Sequence, residues 1–129
     1  MKAGKTAVKV RYFNYLHIHC QGVTLLARRN EKDIWQNLYE YPLIETVEAV
    51  DFQRMAAYTT LMEGVEEIRV LRMVEMPKHV LSHRIIYARF YELEVSCFSV
   101  GMQDYLQVGR QEVEKYAVSR LIELYRERL

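Results

Sequence analysis

The segment Arg84–Val95 constrains the fold more than any other. Ile85, Tyr87, Tyr91, Leu93 and Val95 fall on one side of an extended chain there, and Ile86, Ala88 and Phe90 fall on the other. A strand that is apolar on both faces through its middle is covered from both sides, which predicts a central strand between two layers. Four further segments supply its neighbours. Val8–Cys20 alternates Val8, Val10, Tyr12, Leu16, Ile18 and Cys20 with Lys9, Arg11, Tyr15, His17 and His19, a strand pattern. Gln21-Gly22 is a turn signal, and Val23–Arg29 reads as the second arm of a hairpin. Glu67–Met76 places Ile68, Val70, Val74 and Met76 on one face before Pro77 breaks it. Residues 77–83 then form the loop leading into the central strand, and Asp104–Val108 is a last short strand.

Two helices complete the layers. Asp51 caps a helix that runs to about Met62, with Phe52, Met55, Ala56, Tyr58 and Thr59 favouring one side and Gly64 stopping it. A terminal helix starts near Ala117 or Ser119, with Val118, Leu121, Ile122, Tyr125 and Leu129 at helical spacing. Strands carrying two helices without strict alternation predict an α+β fold with one helix on each side of the sheet. At 129 residues, without a linker or internal repeat, the chain is one domain. Half the residues are hydrophobic and 27% are charged, a globular composition. Five Gly, two Pro and two Cys exclude collagen and disulfide scaffolds. No apolar run approaches the ~20 residues of a membrane span.

A net charge of +1 excludes a bulk polycation that holds nucleic acid by charge alone. The distribution is uneven: Lys2, Lys5, Lys9 and Arg11 fall in the first eleven residues without an acid. That stretch reads as a solvated arm or as a basic tether near phosphates. Residues 1–11 are taken as a connector arm and 12–129 as the domain. Cys20 and Cys97 are far apart with no C-x-x-C, which suggests ordinary thiols in a reducing compartment and no iron–sulfur cluster. The N-terminus lacks a signal peptide's apolar stretch, so the expected location is cytoplasmic.

The motifs that carry chemistry are sparse. His79 and His83 have the spacing of half a zinc site, but the paired cysteines are missing and Pro77 opposes a helix that would align them. His17 and His19 share a strand face; the reading is two exposed strand histidines, two loop histidines and no metal. Ser82-His83 is adjacent in sequence, which does not by itself make a nucleophile and its base. There is no P-loop, nucleophile elbow or dinucleotide fingerprint. Most of the ten tyrosines sit at strand positions and read as core. Glu63, Glu66 and Glu67 resemble the R-E-x-x-E-E core of a Nudix box, in which a helix turns carboxylates onto one face to bind Mg²⁺. Met62 replaces the arginine, Gly64 falls inside the required helix, and Glu48 and Arg54 occupy the upstream spacings. Glu66-Glu67 is instead read as the polar start of a strand.

Four stretches in register resemble the C-terminal domain of MutY-type adenine DNA glycosylases. Trp35-Gln36-Asn37-Leu38-Tyr39-Glu40-Tyr41-Pro42 is similar to the family's W-x-x-L-W-E-F-P, and His79-Val80-Leu81-Ser82-His83 to its H-x-F-S-H loop. The long strand follows at once, and Tyr116-Ala117-Val118-Ser119-Arg120-Leu121-Ile122 is similar to its Y-A-L-P-R-L-I ending. The resemblance runs from about Tyr12 to Tyr125. It implies a Nudix-like α/β/α sandwich, a mixed sheet covered by two helices, that has lost hydrolysis. It implies a DNA-repair module that reads 8-oxoguanine opposite adenine in double-stranded DNA. A separate catalytic N-terminal glycosylase domain, with an iron–sulfur cluster, removes the adenine. This chain is then non-catalytic, without a cofactor of its own, nucleoid-associated, and partnered by DNA and that domain rather than a membrane.

The resemblance points to Leu81, Ser82 and His83 as the lesion-reading residues. Guanine presents an acceptor at N7, whereas 8-oxoguanine presents an N7–H donor beside a new carbonyl. A serine hydroxyl donates and accepts, so Ser82 suits that edge. Leu81 stands where the family has Phe, as a wedge that stacks less well. Lys78, His79 and Arg84 are candidate phosphate contacts. Trp35, Leu38, Tyr39 and Tyr41 read as core. Two alternatives stay open: a free-standing Nudix nucleotide hydrolase, motivated by Glu63-x-x-Glu66-Glu67, and a protein-interaction module, motivated by the near-zero charge.

Overall fold

The computed structural model of the protein describes residues 7–56 and 59–129. Lys2, Lys5 and Tyr58 lie outside the described residues. Strand β1 (Lys9–Cys20) takes in the last residues of the expected connector arm. It runs parallel to β7 (Arg84–Val95) through eleven residue pairs, from Lys9 opposite Arg84 to His19 opposite Glu94. The hairpin to β2 (Val23–Arg28) turns at Gln21-Gly22, both at positive φ, the backbone that matches the twist of the flanking strands. Short strands β3 (Tyr39–Glu40) and β4 (Leu43–Thr46) pair with β2 and β1, and β5 (Ile68–Glu75) flanks β7. The resulting mixed sheet has the order β3-β2-β1-β7-β5.

Strand alternation sends β1 and β7 into two separate cores. Phe13 and Tyr15 meet Ile86, Ala88 and Phe90 on one face, under Leu121, Ile122 and Tyr125 of α2 (Arg120–Arg126). Leu16 and Ile18 meet Tyr91, Leu93 and Val95 on the other, with Met55 of α1 (Phe52–Ala56) and Leu61. Both faces of the central pair are thus covered, as the pattern of Arg84–Val95 requires. The α2 side is an aromatic stack: Phe90 lies between Tyr15, 4.8 Å away, and Tyr125, 4.0 Å away. Ser119 starts α2 as expected, its hydroxyl accepting the Ile122 N–H at 3.3 Å. Among the described residues, no helix is long and apolar enough to cross a membrane.

Several boundaries differ from expectation. Asp51 does cap α1, its carboxylate accepting the Arg54 N–H at 2.7 Å, but the helix does not reach Met62. Residues 60–64 form a bend and turns, with the Thr59 hydroxyl accepting the Leu61 N–H. Local side-chain bonding of this kind competes with helical pairing. In β5, a register shift between Val70 and Arg72 breaks the simple alternation. Ile68 and Val70 therefore pair with the α1-side residues Val95 and Leu93, while Val74 and Met76 pack toward the α2-side core. One extra residue exchanges the faces. Residues 77–83 are more ordered than a loop, because β6 (His79–Leu81) pairs with the start of β7. The last strand, β8 (Leu106–Gly109), begins after a 3₁₀ turn at Gly101–Asp104.

A charged cluster locks the open end of β1 to the loop before β3. Arg11 binds Asp33 through two bonds of 2.9 and 2.8 Å and Glu45 through two of 2.8 Å. Arg29 bonds Asp33 and Glu40. The bidentate bond from Arg11 holds the Asp33 carboxyl down at about 2. Because that folded value lies below the ordinary 3.8, the stabilisation is complete above about pH 5 and is lost as pH falls toward 2. Urea denaturation from pH 7 down to pH 2 is expected to show this acid limb, and Asp33→Asn to flatten it. Phe90→Ala, which removes the centre of the aromatic stack, is expected to lower stability by about 3–5 kcal/mol in the same assay.

Candidate functional site

The β6–β7 hairpin is closed by two residues, since Leu81 pairs directly with Arg84 and leaves Ser82 and His83 as the turn. Both are exposed. His83 has φ 63°, whereas Ser82 does not have a positive φ. A positive φ at the second turn residue is the arrangement that ordinarily takes Gly or Asn. A histidine there carries a conformational cost of about 1–2 kcal/mol. The turn is held from below, because the Lys9 N–H donates to the His83 carbonyl at 3.0 Å.

The structure places the other sequence-derived candidates around this tip unequally. Leu81 is half-buried and packs against the α2-side core, while the apolar side chain that the hairpin leaves outside is Val80, 64% exposed. Lys78 is exposed and Arg84 is half-buried; neither makes an ion pair among the described residues. The Arg84 Nε is buried and has no hydrogen-bond partner. Lys9, Arg11 and Arg84 share a shallow groove of about 360 Å³ with Asp33 and Glu45. Arg11 is fully committed to those two acids, so Lys9 and Arg84 are its available cations. His79 is half-buried with its ring 6.0 Å from Trp35. Burial, then Arg120, keeps its pKa below the ordinary value.

The motifs that were separate in sequence touch in space. Trp35 packs edge-on against Phe13 at 6.1 Å while facing His79. Tyr39 stacks on Tyr116 at 4.9 Å, and its N–H donates to the Ala117 carbonyl at 2.8 Å. The stretch 35–42 therefore buttresses both the hairpin and the entry into α2. Tyr41 is buried as expected, whereas Leu38 and Tyr39 are half-buried. Glu63 is exposed in a turn, Glu66 in a bend and Glu67 just before β5, and no helix among the described residues carries them. Gly64, at φ 81°, sits between them.

The expectation of exposed strand histidines is overturned. His17 and His19 are 6% and 5% exposed, beneath α2. Their rings lie 4.2 Å apart, and their donor atoms cluster with Glu92, all within 4.8 Å of one another. The His17 Nδ1 is 2.7 Å from the Tyr125 hydroxyl. The His19 Nδ1 is 2.9 Å from the Thr24 hydroxyl, and its Nε2 is 2.9 Å from a Glu92 oxygen. Burial pushes His17 down to about 2 and lowers His19 against the pull of Glu92, so both rings are neutral at pH 7. The available signal was Glu92, an acid inside the apolar run that predicted the central strand.

Comparison with known proteins agrees with this architecture. The C-terminal domain of mouse MUTYH, solved in complex with human PCNA, superposes with a TM-score of 0.58 at 13% identity, covering 92% of this chain and 88% of that one. The E. coli ORF135 protein gives 0.56 at 21% identity, with 88% and 83% covered. The M. smegmatis Nudix hydrolase RenU gives 0.55 at 9% identity, with 88% and 78% covered. No curated protein matches the sequence. At these identities the superpositions establish the fold, and the family model of the NUDIX domain matches residues 14–128, so the chain belongs to the Nudix domain family.

Proposed function

We propose that this domain is a non-catalytic reader of 8-oxoguanine opposite adenine in duplex DNA, the lesion-recognition module of an A/G-specific adenine glycosylase. The observation that carries the reading is the Ser82-His83 turn. It is an exposed two-residue tip on which a histidine occupies a conformation better suited to glycine. The tip presents a serine hydroxyl to solvent beside that histidine, a group that both donates and accepts hydrogen bonds. The similarity to the MUTYH C-terminal domain and the four family-like stretches support the same reading.

In this account the Ser82 hydroxyl faces the altered edge of the base, donating to the carbonyl at C8 or accepting from N7–H. His83 fixes the direction of the turn. Leu81 contributes as an anchor in the core, with only part of its side chain left to press on the base stack. Arg84, half-buried and without an ion pair among the described residues, joins Lys9 and Lys78 as phosphate contacts that position the duplex. Catalysis by the Glu63–Glu67 carboxylates is disfavoured because they stand on turns instead of along one helix face.

Fluorescence anisotropy at low salt, with duplexes carrying 8-oxoguanine:A or G:A, tests the assignment. The intact chain is expected to favour the lesion duplex, and Ser82→Ala to reduce that preference about tenfold. Equal affinity for both duplexes, or Mg²⁺-dependent release of pyrophosphate from nucleoside triphosphates, would overturn it. His83→Gly separates function from stability. It is expected to raise resistance to urea by about 1 kcal/mol, by relieving the strained φ, while weakening duplex binding.

A further inference from the structure

We propose that His17, His19 and Glu92 form a binding site for a single divalent transition-metal ion of the zinc type. Residues at i and i+2 on β1 face the same way, and the parallel register sets Glu92 of β7 directly opposite His17. One ring nitrogen from each histidine and one carboxylate oxygen lie within 4.8 Å of one another. Four-coordinate zinc, with its donors ~2.0–2.2 Å from the metal, needs these atoms ~3.3 Å apart, so binding draws the three side chains together. Two imidazoles and a carboxylate form the donor set of open zinc sites, which leave a fourth position for water. Imidazole donors favour zinc, copper and nickel over magnesium or calcium.

The arrangement around the three donors carries the inference further than their proximity does. Each ligand is held from behind by its other polar atom. The His17 Nδ1 meets the Tyr125 hydroxyl, the His19 Nδ1 meets the Thr24 hydroxyl, and the second Glu92 oxygen accepts from the Arg72 Nε at 3.1 Å. Partners on the far atom of each ligand orient metal-binding histidines and carboxylates. The His19 Nε2 bonds a Glu92 oxygen. Metal binding requires that proton to move to Nδ1, where the Thr24 hydroxyl can accept it. The positive charge of Arg126, Arg110 and Arg72 reaches His17, so a bound cation there depends on the Glu92 carboxylate and on an anionic fourth ligand to offset it.

Titration of the tag-free, chelator-treated chain with Co²⁺, followed by visible absorbance, tests the site. The expected result is one equivalent bound with the intense bands of a four-coordinate ion, displaced by Zn²⁺. Thermal unfolding should move upward as Zn²⁺ is added. His17→Gln and Glu92→Gln are expected to abolish the bands, whereas His83→Gln and Cys97→Ser should leave them unchanged. Since charge-altering variants destabilise a core, Tyr125→Phe is the deciding one, for it keeps all three ligands and removes only the hydroxyl that orients His17. It should bind 10–100-fold more weakly while circular dichroism stays native. No bands in the intact chain, bands that persist in a folded His17→Gln, or unchanged affinity in Tyr125→Phe would each overturn the proposal.

Discussion

The parallel pairing of β1 with β7 is the constraint on which the rest depends. Eleven consecutive pairs fix which residues of each strand face α1 and which face α2, so both cores follow from one register. A slip of one residue would turn Phe90 away from Tyr125 and carry Glu92 to the opposite face. The same ladder sets Lys9 beside the start of β7, where its N–H secures the His83 carbonyl. At the other end it sets Glu92 beside the two histidines of β1. The exposed tip and the buried polar cluster are therefore opposite ends of one pair of strands.

The tip is stiff by construction. Below it, Leu81 and Trp35 pack into the α2-side core, and His79 is drawn in beside Trp35. Above them Ser82 and His83 reach solvent as the turn, with Val80 exposed beside them. A reader of one altered base edge needs a hydroxyl held in place more than a large surface, because misplacement by an ångström forfeits the hydrogen bonds. The cost of the left-handed histidine is small against the burial that Phe90, Tyr15 and Tyr125 provide. Net charge near zero suits such a module if another domain supplies most of the hold on DNA.

Much of this was legible in the residues. Arg84–Val95 is a strand with the boundaries its pattern implied, and Ser119 caps the last helix. Strong periodicity over ten or more residues leaves few alternatives. Three things were not legible, each for its own reason. The bulge in β5 leaves no mark in composition, so Val74 was assigned to the wrong face. The first helix does not extend to Met62, where Thr59 bonds the Leu61 N–H locally, a competition that an apolar pattern does not record. His17 and His19 read as the wet side of an alternating strand, and only the arrival of α2 and Glu92 makes that side interior. The turn at Ser82-His83 was found through resemblance; its backbone geometry emerged only from the fold.

The central claim is that the hairpin tip, and not the acidic turn, is the working surface of this Nudix domain. Mapping amide chemical shifts during addition of an 8-oxoguanine:A duplex tests it most directly. The account predicts shifts confined to Lys78–Arg84 and to Lys9 beside them, with Glu63–Glu67 unmoved. Shifts centred on Glu63–Glu67, or no shifts with the duplex but strong ones with Mg²⁺ and a nucleoside triphosphate, would contradict it.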